Sequence, residues 1–194
     1  MAPRPRTVSD QEILSATAAI IGRLGPSRFT LADVAREVGL SAATLVQRFG
    51  SKRGLMLSLA GSSDGNVEDC FAMIRAEHHS ALDSLLAAAT FMASMVESPE
   101  SLANHLAFLQ IDLSDDDFHR LALAGHLRNI AGYHTLLDEA VAAGELVPCD
   151  TARLARAVSA VAGGSLIGWA IMREGNVVDY VKQDLLTLLE PLRP

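Results

Sequence analysis

The sequence is short of several things, and each shortage removes a class of protein. Only two cysteines occur among its 194 residues, Cys70 and Cys149. That is too few for a disulfide framework and fits a reducing cytosol. Aromatic residues make up 5% of the chain, and alternating β-branched runs are nearly missing, so the composition favours an all-α protein. No apolar run reaches the ~18 residues expected of a membrane span. The opening stretch MAPRPRT lacks the apolar core of a signal peptide, so the expected location is cytoplasmic, with no membrane partner. Gly-rich phosphate loops and nucleophile motifs are missing too, and the spacing of Ser, His and Asp singles out no triad. His78 and His79 are adjacent and point apart on a helix, while His119 and His126 lack the i, i+4 spacing of a helical metal pair. No catalytic residue, metal or cofactor is therefore expected.

What remains is a hydrophobic chain, 49% apolar by composition and rich in Ala and Leu, long enough to bury a substantial core. Its net charge of −7 argues against a nucleic-acid partner until the chain is divided at Ala60. Residues 1–60 hold eight Lys/Arg against four acids, net +4, and the remainder is net −11. A basic head on an acidic body suits a phosphate-binding domain joined to a domain with other work.

The head centres on Thr30 to Lys52, TLADVAREVGLSAATLVQRFGSK. Thr30 with Asp33 three residues on forms a capping-box-like pair that opens a helix. Leu31, Val34, Ala35 and Val38 recur at helical spacing. Gly39 suits the left-handed backbone that ends a helix, and Leu40 plugs the corner. Ser41 then caps a second helix with Leu45 and Phe49 pointing inward. Ala42, Ala43, Thr44, Val46, Gln47 and Arg48 are left to its outer and flanking surfaces. A helix, a Gly turn and a capped second helix match the DNA-binding helix-turn-helix, whose second helix lies in the major groove.

These residues resemble the N-terminal domain of the tetracycline-repressor (TetR) family of bacterial regulators. The family pattern stands here as Thr30, Gly39-Leu40-Ser41, Thr44-Leu45-Val46-Gln47-Arg48-Phe49 and Ser51-Lys52, within a match of about fifty residues from Ser9 to Leu59. Val46 stands where the family usually has Tyr, which removes an expected phosphate or sugar contact. Gln47 suits paired hydrogen bonds to adenine, and Arg48 suits guanine or a phosphate. Thr30, Ser41, Thr44 and Lys52 fall at backbone-contacting positions, whereas Ala42, Ala43 and Val46 offer at most thymine-methyl contacts. So thin a set of direct readers implies that DNA shape carries much of the specificity.

Elsewhere the pattern is helical. Residues 1–8, with Arg4 and Arg6, form a basic arm that reaches the phosphate backbone or minor groove, or else is a solvated tail. Ser9 and Glu12 open helix 1, whose inner stripe is Ile13, Thr17, Ile20 and Leu24. Ser51 caps a fourth helix. The run from Gly61 to Asn66 is a poor helix former, so a kink, frayed turn or break is expected there. Leu82 to Val96 define a further helix closed by Ser98-Pro99. Leu102, Leu106 and Leu109 mark the next. The acidic run at Asp115 to Asp117 opens a long one through Leu123, Leu127 and Val141 to Gly144. The last two helices, Thr151 to Arg173 and Val178 onward, carry small residues on one side and look like an association surface. In the resembled family these two pair with a second subunit as a four-helix bundle, which implies a homodimer on a pseudo-palindromic operator.

The expected architecture is thus all-α with about nine helices: a helix-turn-helix domain over 1–54 and a helical effector-binding and dimerisation domain over 55–194. The resemblance implies a small-molecule pocket among the middle helices. Candidates by residue type are Phe71, Phe91, Met92, Met95, His105, Phe108, Asp112, His126, Tyr133, His134 and Trp169, suited to an apolar or weakly polar effector. The expected partners are operator DNA, a second copy of the chain and an unidentified small-molecule effector. Two alternatives stay open: a weakly specific DNA binder or helical ligand-binding dimer with a degenerate head, and a helical enzyme.

Overall fold

The computed structural model of the chain describes residues 8–194, leaving aside the side chains of residues 63–66. The expected basic arm therefore lies, for residues 1–7, outside the described residues. Among the described residues nine α-helices follow one another: α1 Asp10–Leu24, α2 Leu31–Glu37, α3 Ala42–Phe49, α4 Lys52–Glu77, α5 Ala81–Ser94, α6 Pro99–Ser114, α7 Asp116–Ala142, α8 Thr151–Met172 and α9 Val177–Leu189. A 3₁₀ turn, Glu190–Leu192, completes the chain, and no strand occurs among the described residues. The all-α expectation holds.

The chain divides into two compact units. The first takes the residues up to Ser63 together with Ala103–Leu121. Its core gathers Ile13, Ile20, Phe29, Val34, Leu45 and Leu55 from α1 to α4, and also Phe118 from the start of α7, 2% exposed. The second unit takes Asp64–Leu102 and Ala122–Pro194. There Leu85, Leu137, Val158, Val181, Leu185 and Leu189 are almost wholly buried. α9 packs against both α8 and α5. Glu145, beyond the end of α7, accepts the backbone N–H groups of Ala81 and Leu82 at 3.2 and 2.8 Å, which satisfies open donors at the start of α5.

Local propensity misleads in four places. α4 runs from Lys52 to Glu77 without the expected interruption at 61–66. Helix propensity is a weak prior, and buried residues on either side, Leu55, Met56 and Ile74, carry the helix through. Leu24 is 38% exposed at the last turn of α1 instead of closing its inner stripe, because Gly25 ends the helix immediately after it. α5 stops at Ser94, capped by Met95, and Pro99 opens α6, where a missing N–H costs nothing. Leu106 and Leu109 of α6, and Leu123 and Leu127 of α7, are exposed and not core.

α8 is long and apolar enough, by length and composition alone, to cross a membrane. Its inner face nevertheless packs Leu154, Ala155, Val158, Ala162 and Trp169 into the second unit, as a core helix does.

Phe118 lies 69 residues beyond Phe49, the end of the helix-turn-helix, yet fills its core. Phe118→Ala is expected to lower the unfolding free energy by about 3–5 kcal/mol, the usual cost of emptying a buried aromatic site. Urea unfolding followed by circular dichroism measures it; an unchanged midpoint would show that the ring contributes nothing to the head.

Candidate nucleic-acid interface

Every helix of the head begins with a side chain that satisfies its own free donors. Ser9 and Glu12 form a capping box at α1, with Ser9 N–H on Glu12 Oε2 at 2.8 Å and Glu12 N–H on Ser9 Oγ at 3.2 Å. Thr30 and Asp33 repeat the arrangement at α2, and the Thr30 hydroxyl donates to Asp33 Oδ2 at 2.7 Å. These hydrogen bonds, with Arg36 nearby, hold the Asp33 carboxyl below its usual range. The turn is then closed by backbone geometry. Gly39 takes φ +68°, and Leu40 N–H reaches back to Ala35 O at 2.8 Å, the longer bond of a Schellman motif. Ser41 follows at once as the cap of α3, accepting Thr44 N–H at 3.1 Å and sharing a 2.8 Å hydrogen bond with the Thr44 hydroxyl. At the far end Gly54 lets the first turn of α4 pass the Phe49 carbonyl, which any Cβ there would overlap.

α3 is eight residues long and sorts its side chains sharply. Leu45 is 0% exposed, with Phe49 and Ala42 half-buried against the same core. Ala43, Val46 and Gln47, at i, i+3 and i+4, are exposed together on the opposite face, Val46 at 47%. That face projects a methyl, an isopropyl and one amide able to donate and accept at once.

The remaining predicted contact residues are held by the protein itself. Arg48 sits on the flank of α3. Its Nη1 donates to the Val8 carbonyl at 2.7 Å, and its Nη2 pairs with Asp10 Oδ1 at 2.5 Å. Lys52 Nζ donates to the Ser27 carbonyl at 3.0 Å and lies 4.3 Å from the centre of the Phe29 ring. Partial burial pushes its ammonium below the usual lysine range. Thr30, Ser41 and Thr44 use their hydroxyls in the caps just described.

Reading motifs missed a second polar cluster. Arg53, in the first turn of α4, donates to Asp115 and Asp117 at 2.9 Å and stands 5.5 Å from the Phe118 ring. Asp115 also accepts the Asp117 N–H at 3.0 Å, so it caps α7 as expected while holding Arg53. These bonds raise Arg53 above its ordinary range and hold Asp115 below its own. Arg36, well exposed on α2, is one of the eight head cations counted in the sequence but was not among the expected contact residues.

The candidate effector residues are divided between the two units. In the second unit Phe71 and Tyr133 stack edge to face, ring centres 5.4 Å apart. Burial, with Cys70 adding to it, pushes the Tyr133 phenol up to about 12. Trp169 is buried and donates Nε1 to the Gly175 carbonyl at 3.1 Å. Phe91 and Met92 on α5 and Met95 at its cap are exposed, His126 is exposed on α7, and His134 lies 3.4 Å from Asp138. His105, Phe108 and Asp112 belong to the first unit, where Phe108 meets Phe118 edge to face at 5.9 Å. Burial pushes the Asp112 carboxyl up to about 6. No group of three or more His, Cys, Asp or Glu able to hold a metal occurs among the described residues.

Comparison with known proteins bears on this geometry. Residues 13–59, the span from α1 into α4, match the family described as bacterial regulatory proteins, tetR family. A curated relative, the HTH-type transcriptional regulator BetI of Agrobacterium fabrum, is 29% identical over 157 residues, 80% of this chain and 73% of the relative. Among solved structures, the regulator FadR of Bacillus subtilis in complex with stearoyl-CoA is similar at TM-score 0.72 and 16% identity, covering 95% of this chain and all of that one. A putative regulator of Saccharomonospora viridis in complex with choline is similar at TM-score 0.72 and 22% identity, covering 93% and 95%.

The division of labour on α3 has a direct test. Ser41→Ala removes the cap and is expected to cost about 1 kcal/mol of stability. Gln47→Ala, on the exposed face, is expected to stay within about 0.5 kcal/mol of the parent. Parallel urea titrations compare them, and equal losses would mean that Gln47 is part of the packing.

Proposed function

We propose a specific mode of action for this chain, which belongs to the TetR family of bacterial regulatory proteins and is a transcriptional regulator. A homodimer occupies a pseudo-palindromic operator, represses the adjoining promoter from the cytoplasm without catalysing a reaction, and leaves when a small molecule binds. The observation that carries this reading is the exposed face of α3. One helix end is capped by Ser41 and its inner side is anchored by Leu45, so Ala43, Val46 and Gln47 stand out together from a net-positive head. Gln47 reads adenine through its amide, Val46 and Ala43 contact thymine methyls, and DNA deformability supplies the rest of the specificity. Thr30, Ser41, Thr44, Arg48 and Lys52 surround this face and set its register on the backbone, and Ala42 adds at most a further methyl contact.

The partner surface is the outer side of α8 and α9. A shallow groove there is lined by Val161, Gly164, Gly168, Tyr180, Thr187 and Leu188, with a 2.6 Å hydrogen bond from Ser165 to Asp184 across it. Open space surrounds Gly163 and Gly164, and Ile167 and Ile171 are exposed beside them. A second copy approaching along the two-fold axis covers these apolar side chains and uses the glycines for close helix contact.

The effector is proposed to be apolar or weakly polar and to engage the aromatic residues of the second unit, the Phe71–Tyr133 pair first. Choline and stearoyl-CoA, each present in a similar structure, are the first compounds to test. A quaternary ammonium suits aromatic faces, and a long acyl chain suits apolar walls.

Selection of bound fragments from genomic DNA with the purified protein is expected to return one pseudo-palindromic motif. Gln47→Ala is expected to relax one position per half-site, a loss of about 1–3 kcal/mol for each base contact. An unchanged motif removes Gln47 from the readers, and no motif at all removes the specific-operator reading. Gly164→Glu, which places a charge on the open face of α8, is expected to convert a dimer to monomers in sedimentation velocity. Persistence of the dimer would locate the interface elsewhere.

A further inference from the structure

We infer that the Phe71 ring occupies a ring-sized slot on α7 that the effector takes over: a flat, neutral aromatic group lies on the bare backbone of Gly132 in its place and sets a hydrogen-bond acceptor against the Tyr133 hydroxyl. This rests on the effector reading proposed above and narrows it to one site and one class of compound.

Three observations lead there, all within the second unit. First, Gly132 stands in the interior of α7, where glycine weakens a helix. Its use is to admit the tip of the Phe71 ring. A Cβ at position 132 would lie 2.6 Å from both Cε2 and Cζ and 2.7 Å from Cε1, inside any real Cβ contact. The ring therefore rests on main chain, an approach that only glycine permits.

Second, Phe71 is half-buried, although it packs against the core cluster. With one side in solvent, the ring leaves the slot by rotation of its own side chain. Leu137 and Ala140, fully enclosed on α7, have no such exit.

Third, Tyr133 walls the slot, its ring edge to face with Phe71 at 5.4 Å between centres. Tyr133 is 8% exposed, and its hydroxyl makes no hydrogen bond among the described residues. So deeply buried a polar group normally has a partner. Burial, with Cys70 adding to it, pushes the phenol up to about 12, so this donor keeps its proton at neutral pH. A neutral donor beside a space the size of one phenyl ring suits a carbonyl or ether oxygen on an aromatic compound.

The experiment titrates the full chain with acetophenone, a phenyl ring carrying one carbonyl. Ethylbenzene, without the acceptor, and cyclohexyl methyl ketone, without the flat ring, are the controls. Binding is read by NMR of protein labelled in its phenylalanine rings and glycine amides. In the parent, acetophenone is expected to saturate, to shift the Gly132 amide and to remove the NOE between the Phe71 ring and the Gly132 Hα. Cyclohexyl methyl ketone is expected to bind more weakly. Phe71→Ala empties the slot beforehand and is expected to bind acetophenone about tenfold tighter or more, because the apparent affinity no longer includes moving the ring. Phe71→Ala/Gly132→Val refills the slot from its floor and is expected to abolish binding. Tyr133→Phe is expected to lower the ratio of acetophenone to ethylbenzene affinity by roughly tenfold.

A parent that takes up no acetophenone while Phe71→Ala does overturns the inference, since the variant has then only been given an artificial cavity. Binding to the parent that leaves the Gly132 amide and the Phe71 NOE unchanged overturns it too. Should Phe71→Ala fail to fold, the parent titration and Tyr133→Phe decide. Release of the selected duplex is followed in parallel by fluorescence anisotropy. Slot binding without release upholds the site and removes the effector reading. Release by a compound that leaves the Gly132 amide unshifted overturns the site and upholds the effector reading.

Discussion

Burial of Leu45 is the constraint on which the DNA-binding head depends. An isolated helix of eight residues does not persist in water, because the cost of its first turn is not recovered over so short a length. α3 persists because Leu45 is completely enclosed, a contribution of about 1.5–3 kcal/mol, and because Ser41 adds roughly another kilocalorie at its start. Burying that one residue also decides which side of the helix faces outward. Ala43, Val46 and Gln47 are exposed as a group because they lie opposite it. Gly39 completes the geometry: its positive φ turns the chain in a single residue, so α3 starts directly against the core that α2 has built.

The head draws on more of the chain than its motif. Phe118 at the start of α7 fills its core, Asn104 of α6 donates to the Gly22 carbonyl at 2.8 Å, and Arg53 of α4 is held by Asp115 and Asp117. The charges and the ring do different things here. Exposed ion pairs contribute little individually, so the Arg53 pairs chiefly select one register. The enclosed ring supplies the energy. α6 and α7 each continue from this unit into the second one, which carries the Phe71–Tyr133 pair and the α8–α9 surface. A ligand that shifts either helix thus acts on residues covalently continuous with the head, a physical basis for the proposed release of DNA.

What was legible in the sequence was whatever is decided locally. Ser9 with Glu12, Thr30 with Asp33, Gly39 and Ser41 act within four residues of themselves, and each does in the structure what its spacing indicates. Leu45 announced itself by period alone. Long-range choices were not legible. Nothing near Arg48 in sequence points to Val8 and Asp10, and nothing near Lys52 points to Ser27 and Phe29, so two cations that look free are engaged. Gly61 was misread because a penalty of ~1 kcal/mol for one glycine yields to the buried side chains on both sides of it. Leu106, Leu109, Leu123 and Leu127 follow helical spacing faithfully, yet period says only that a face is apolar, not that anything covers it.

The central claim is that the Ala43–Gln47 side of α3 is the surface that meets base edges. Site-specific photo-crosslinking tests it most directly. A benzophenone amino acid replaces Ala43, on that side, or Ala19, exposed on α1, and each protein is irradiated on its selected duplex. The account predicts crosslinks from position 43 to bases at fixed positions in each half-site, and none above background from position 19. Crosslinks from position 19 to bases, with position 43 silent, would contradict it.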